Sequence, residues 1–384
     1  MFRSMMRAAC AMALVATIAG LPAAQASPPG GGGASFLILH DWHAKSPGPT
    51  PTFLRQNKTF LETLPFDGIA VYLRSPDGTD NPTMDLMVNK PIGYPAIAKV
   101  LAPLKGLQFN NLTQNFAAIF SGRPPDFFND WSTIIRNFSD LAKAIREVGL
   151  KGVYFDNENY FSKWSNYPMG VEFPAMTLKA YQDQARLRGR QVMEAMVATF
   201  PDIVVISLHG PYISEPKAPV PLFPQWWSTN QLMGPFFSGF MEGAGKKATV
   251  VDGGKLFHLR TPQEFLDSYN WRKAGIVQDK VDSEFIPAQL RLAWAARINV
   301  AFGVYDQPVA TADMHPDILK PTLTAALRQS DRYAWFCAER NSYLKPAKDG
   351  GAADTWVAAV RQGRADAAQK PVKGGDNSKS QARR

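Results

Sequence analysis

Short apolar runs recur along the chain, and most are followed by a polar loop and a helical pattern. Ser35 to Leu39, Gly68 to Leu73, Leu107 to Phe109, Gly152 to Phe155, Ile203 to Leu208, Ala248 to Val251, Val300 to Tyr305 and Tyr333 to Cys337 read as eight strands in succession. Runs this brief and this uniformly apolar suit strands buried on both faces of a parallel sheet. Between them, Trp131 to Val148 carries Ile134, Ile135, Phe138, Leu141, Ala142 and Ile145 at helical spacing, and Gly149 ends it. Leu178 to Phe200, Gln225 to Glu242, Pro287 to Ile298 and Pro316 to Leu327 read as further helices. Repeated strand–helix alternation predicts an α/β fold, and eight strands point to a closed (β/α)8 barrel in one domain over residues 35–346.

The ends of the chain differ from this body. Arg3 and Arg7 precede an apolar stretch, Ala8 to Leu21, and Ala24-Gln25-Ala26 has the small-x-small form of a cleavage site. Residues 1–26 are therefore expected to be an export signal, the mature protein being secreted or periplasmic, with no integral membrane span. Residues 27–34 form a Gly/Pro-rich lead-in. Residues 347–384 read as a basic tail without enough apolar content to fold.

Charge changes the picture little. The formal net charge is +9, but Arg3 and Arg7 supply +2 of it, and residues 361–384, with seven Lys/Arg and two Asp, supply +5. The body is left at +2, which offers no basic face for nucleic acid. Of the two cysteines, Cys10 lies in the signal, so Cys337 has no partner and the mature fold needs no disulfide. No G-x-G-x-x-G follows an early strand, which argues against a dinucleotide cofactor, and no G-x-S-x-G elbow is present. His40, Asp41 and His43 do not have metal-ligand spacing on a strand, so neither metal nor cofactor is expected.

In a barrel of this kind the site forms at the C-terminal ends of the strands. Polar residues gather there: Asp41 and Trp42 after the first strand, Asn110 after the third, Asp156, Asn157, Glu158 and Tyr160 after the fourth, His209 after the fifth, Asp252 after the sixth, Asp306 after the seventh and Glu339 after the eighth. Asp156 and Glu158 are two apart, so they share one side of the strand at roughly 6–7 Å spacing. Two carboxylates so close drive their pKa values apart, as acid/base cleavage of a glycosidic bond requires. Asp252 and Glu339 are the alternative second carboxylates. Asp41, Trp42, Asn110, Asn157, Tyr160, His209, Trp226 and Asp306 are candidate contacts to a sugar, the aromatic rings by stacking.

Asp156-x-Glu158 resembles the terminal D-x-E of chitinase-type glycoside hydrolases, which implies Glu158 as general acid. Lys151 and Tyr154 stand where that family's longer pattern has aspartates. Gly152-Val153 with Asp156-Asn157 also resembles the fourth strand of polygalactosaminidase-like and α-galactosidase-like barrels, which implies Asp156 as nucleophile. Both resemblances imply a carbohydrate substrate. The rival expectation is a barrel that binds glycans without cleaving them.

Overall fold

The computed structural model describes residues 35–42, 48–169, 172–278, 283, 285–309, 311 and 313–369. The expected signal and lead-in, His43, and the chain beyond 369 lie outside these residues.

Among the described residues nine strands form: β1 (Phe36–Asp41), β2 (Gly68–Tyr72), β3 (Phe116–Phe120), β4 (Gly152–Asp156), β5 (Val204–Ser207), β6 (Thr249–Asp252), β7 (Ile298–Val300), β8 (Gly303–Tyr305) and β9 (Tyr333–Ala338). Every pairing is parallel, in the order β7-β6-β5-β4-β3-β2-β1-β9-β8. The two edge strands are consecutive halves of one stave, separated only by Ala301 and Phe302. That stave is bonded on both sides: Ala301 N donates to Asp252 O and Gly303 N to Gly254 O, while Asp331 N donates to Val300 O and Trp335 N to Phe302 O. The sheet therefore closes on itself as the expected eight-stave barrel, with no free edge.

Side chains alternate across each strand. Ile38, Ala118, Tyr154, Ile206, Val251, Tyr305 and Trp335 pack together in the barrel interior. Their strand neighbours, among them Leu37, Val153, Val205, Val250 and Phe336, pack beneath the helices. The helices Ser132–Glu147, Leu178–Thr199, Ala288–Arg297 and Pro316–Gln329 match their expected spans. The segment 225–242 instead holds a short 3-10 turn, Trp227–Thr229, and a helix, Met233–Gly243.

Two expectations are corrected. The third strand is Phe116–Phe120, not Leu107 to Phe109, which lies in the loop before it. Leu107 and Phe109 are half-buried and pack against the outer core, so their apolar character serves the loop's docking. The second correction concerns residues 347–384. Asp354–Ala368 is a helix whose buried Trp356, Ala359, Val360, Gly363 and Ala367 form one face. It packs on Pro316–Gln329, with Gly363 against Leu323, and Arg364 pairs with Asp67 at 2.6 Å. Part of the expected tail thus belongs to the domain.

Candidate active site

Strand alternation decides which mouth residues face the axis. Tyr154 points inward, so Asp156, two residues on, does too; it is 2 % exposed. Its Oδ1 accepts a bond from the backbone N–H of Glu158 at 3.3 Å. Glu158 extends beyond the strand end and is held by three groups. The Lys255 ammonium and the Tyr160 hydroxyl both donate to Oε2, and His209 Nε2 lies 3.5 Å from Oε1. The Tyr212 hydroxyl lies 2.8 Å from Nδ1, the other ring nitrogen of His209.

The two carboxyls consequently differ. Burial and the adjoining Glu158 charge push Asp156 up to about 8, against a smaller pull from Lys255. Burial also opposes ionisation of Glu158, but the His209 hydrogen bond and the Lys255 charge outweigh it and hold this carboxyl well below the usual range. At neutral pH the proton sits on Asp156 and the charge on Glu158. This is the reverse of the distribution implied by the chitinase-type resemblance.

Beneath the pair runs a buried chain of hydrogen bonds. Tyr72 donates to Asp41 O at 3.2 Å, so its oxygen accepts from His40 Nε2 at 3.0 Å. Nδ1 of His40 then accepts from Tyr154 at 3.1 Å. Burial, with Lys255 nearby, drives His40 down to about 3, which keeps the ring neutral in this single tautomer.

The expected mouth residues divide by side-chain direction. Asp156, Asn157, Glu158, Tyr160, His209, Trp42 and Trp226 are brought together. Asn157 bonds both backbone groups of His209. Trp42 stacks on Tyr160 with centroids 5.9 Å apart, and Trp226 meets His209 edge-on at 6.3 Å. Trp42, Tyr160 and Trp226 remain exposed, so their apolar rings lie open at the mouth around Glu158.

The other expected residues have different work. Asp252 faces the helix layer, one residue out of phase with inward Val251. Its Oδ1 takes Arg272 Nη1 and Gly254 N, both at 3.0 Å. Its carboxyl lies so close to Gly210 that a Cβ there would fall 2.1 Å from Cγ. It is a structural acid, not a partner for Glu158. Asp41 faces the same layer and accepts from Ser342 Oγ and Tyr343 N, each at 3.1 Å. Asp306 accepts from the backbone N–H groups of Glu339 and Asn341 at 2.8 Å, fixing the loop after β9. Glu339 reaches the rim, half-buried, where Oε2 accepts Val309 N at 2.7 Å. Asn110 is at the opposite end of the barrel, before β3, and its N–H donates to Glu62; its expected place followed from the misassigned third strand.

Lys255, Tyr72 and Tyr154 are the site residues that strand-end reasoning passed over, and His40 is weighed there only as a metal ligand. Lys255 could have been found from Asp252-Gly253-Gly254-Lys255, a turn that returns a cation to the mouth. Among the described residues, no group of three or more His, Cys, Asp or Glu is placed to hold a metal, and no helix is long and apolar enough to cross a membrane.

No protein-family model matches the chain, and no curated protein matches it in sequence. Among solved structures, it is similar to a GH5-4 broad-specificity endoglucanase from an uncultured bacterium, at 11 % identity and TM-score 0.49, over 87 % of this chain and 93 % of that one. It is also similar to a GH18 chitinase from Pseudoalteromonas aurantia (13 %, 0.41, covering 85 % and 99 %) and to a 3-keto-D-glucoside 4-epimerase from E. coli (14 %, 0.41, covering 86 % and 99 %). These are likenesses of overall architecture; the barrel itself rests on its hydrogen-bonded closure.

Proposed function

We propose that the chain is an exported glycosidase that hydrolyses a polysaccharide or oligosaccharide by carboxylate acid/base catalysis. The observation that carries this reading is the unequal pair at the mouth: a buried Asp156 whose carboxyl accepts one backbone amide, beside a Glu158 held by Lys255, Tyr160 and His209, under the open rings of Trp42, Tyr160 and Trp226. Cleavage of a glycosidic bond needs a proton for the departing oxygen and a negative charge for the oxocarbenium-like centre. In this reading Asp156 is the acid and Glu158 the nucleophile or charge stabiliser. Sugar rings present apolar C–H faces to stack on the aromatics while their hydroxyls stay wet. Export rests on the Arg3/Arg7, Ala8 to Leu21 and Ala24-Gln25-Ala26 pattern; N-terminal sequencing of the mature protein from culture medium or periplasm tests it, with Ser27 the expected first residue.

Glu158→Gln keeps shape and removes the charge, and Asp156→Asn removes the proton. Each is expected to lower reducing-sugar release from a responsive polysaccharide by about 10²–10⁴-fold. Wild-type rates in both variants would refute the assignment. A second reading is favoured by one feature: Lys255 and Tyr160 already occupy Glu158. A barrel so neutralised could bind glycans without cleaving them. Retention of the wild-type protein on an insoluble glycan, with no reducing sugar released from any of a polysaccharide panel, is the outcome that selects it.

A further inference from the structure

Lys255 enters the mouth directly after the Gly253-Gly254 turn that follows β6, and its side chain is only 13 % exposed. Its path is built in. Gly254 has φ +57°, and a Cβ there would fall 2.3 Å from Arg272 Nη1, so the turn that aims Lys255 inward suits glycine. An ammonium placed this deep is costly unless it is paired. Its partner is Glu158, with the Tyr160 hydroxyl 3.5 Å from Nζ.

We propose that Lys255 is a positioning residue of this site: by pairing with Glu158 it decides which of the two mouth carboxyls carries the proton. The inference rests on the reading of Asp156 and Glu158 as the working pair. Two neighbouring buried carboxyls without a cation share one proton, and neither is reserved as acid or as anion. The ammonium breaks that symmetry because it contacts Glu158 directly, while Asp156 feels it only from a distance and otherwise accepts one backbone amide.

Two surrounding side chains touch the Glu158 carboxylate and favour its charge, His209 through a hydrogen bond and Lys255 through its ammonium. From β1 comes His40, which is neutral. From the loop after β5 comes His209, bonded to both Glu158 and Tyr212. From β9 comes Cys337, whose thiol burial pushes up, and from the loop after it the acidic Glu339; β2, β4 and β8 contribute the phenols of Tyr72, Tyr154 and Tyr305, all driven up by burial. Arg272, behind Tyr212, is committed to Asp252. Of these groups, Lys255 is the permanent cation that touches the pair.

The test is a carboxyl ¹³C NMR titration of the full chain labelled at Asp and Glu, with Asp156→Asn and Glu158→Gln assigning the signals. In wild type, Asp156 should take up its proton at higher pH than Glu158. In Lys255→Met the Glu158 transition should move up by about 1–3 pH units, and Lys255→Arg should hold it near the wild-type position. A wild-type protein in which Glu158 protonates before Asp156 overturns the proposal without any variant, and so does an unmoved Glu158 in Lys255→Met. The same proteins are assayed on the polysaccharide panel, where Lys255→Met should carry the acid limb of the pH–rate profile upward with the Glu158 transition. If the titration behaves as expected and no polysaccharide is cleaved, the charge assignment stands and the hydrolase reading falls.

Discussion

Asn157 and His209 exchange two hydrogen bonds of 2.9 Å: the amide Nδ2 donates to the His209 carbonyl, and the His209 N–H donates to the amide Oδ1. A side chain thus extends the pairing of β4 and β5 past the point where both strands end. The bridge sets the position of His209, and through it one of the three contacts to Glu158. Asn157→Asp preserves the shape but replaces the donor with an oxygen facing a carbonyl. It also brings a third carboxyl beside Asp156 and Glu158. The expected cost is about 1–3 kcal/mol of stability, read from urea unfolding at neutral pH, with a loss of activity beyond what the unfolded fraction explains. Unchanged stability would show that the bridge is dispensable.

Asp252 and Arg272 form an ion pair whose side chains are 1 % and 0 % exposed. Removing one partner leaves an uncompensated charge in the outer core, a loss of about 3–5 kcal/mol. Asp252→Ala should therefore shift the urea midpoint strongly, whereas Glu158→Gln should lose turnover with a far smaller shift. If Asp252→Ala were as stable as wild type yet inactive, Asp252 would belong to the chemistry after all.

Much of the barrel was legible because parallel strands buried on both faces leave continuous apolar runs, as in Ile203 to Leu208. The third strand was not. Phe116–Phe120 contains two alanines, and the loop residues Leu107 and Phe109 are more apolar locally while docking at the other end of the barrel. The site was legible at β4, where Tyr154, Asp156 and Glu158 share one phase. Asp41, Asp252 and Asp306 were admitted because they stand at strand ends, yet counting by twos from Ile38, Val251 and Tyr305 turns each of them toward the helices. Lys255 was hidden because two glycines separate it from its strand. Tyr72 and Tyr154 lie inside the strands, where a polar group looks like packing until its partners on other strands are known; His40 is weighed only for metal, and its tyrosine partners come from β2 and β4.

The proton on Asp156 makes stability depend on pH. Its folded value of about 8 stands above the ordinary 3.8, so the unfolded chain releases this proton first as pH rises. Between about pH 4 and 8 the folded state binds the extra proton, and stability falls with rising pH by up to about 1.4 kcal/mol per unit. The contribution is fully present below that window and lost above it. Glu158 acts in the opposite sense: its depressed value adds stability above the ordinary carboxylate range that is lost as pH falls through its folded value. Asp156→Asn should therefore gain on wild type steadily from about pH 5 to about pH 8, measured as urea midpoints across the range. Parallel curves for the two proteins would mean that Asp156 is ionised throughout.

The helix Asp354–Ala368 carries the last prediction. Its composition is that of a solvated tail, but Trp356, Val360 and Gly363 recur at helical spacing and face Pro316–Gln329. That helix in turn backs β8 and β9, which close the barrel. Arg364 reaches across to Asp67 before β2, so the same helix also ties down the N-terminal end of a second strand. Trp356 is 9 % exposed, and truncating a tryptophan in such a setting costs about 3–5 kcal/mol. Trp356→Ala should lower the urea midpoint accordingly, and a chain ended at residue 346 should lose the cooperative transition. A chain ended at residue 369 keeps every contact described for this helix and should unfold as the full chain does. Equal stability in the 346 and 369 truncations would return the segment to the status of an appendage.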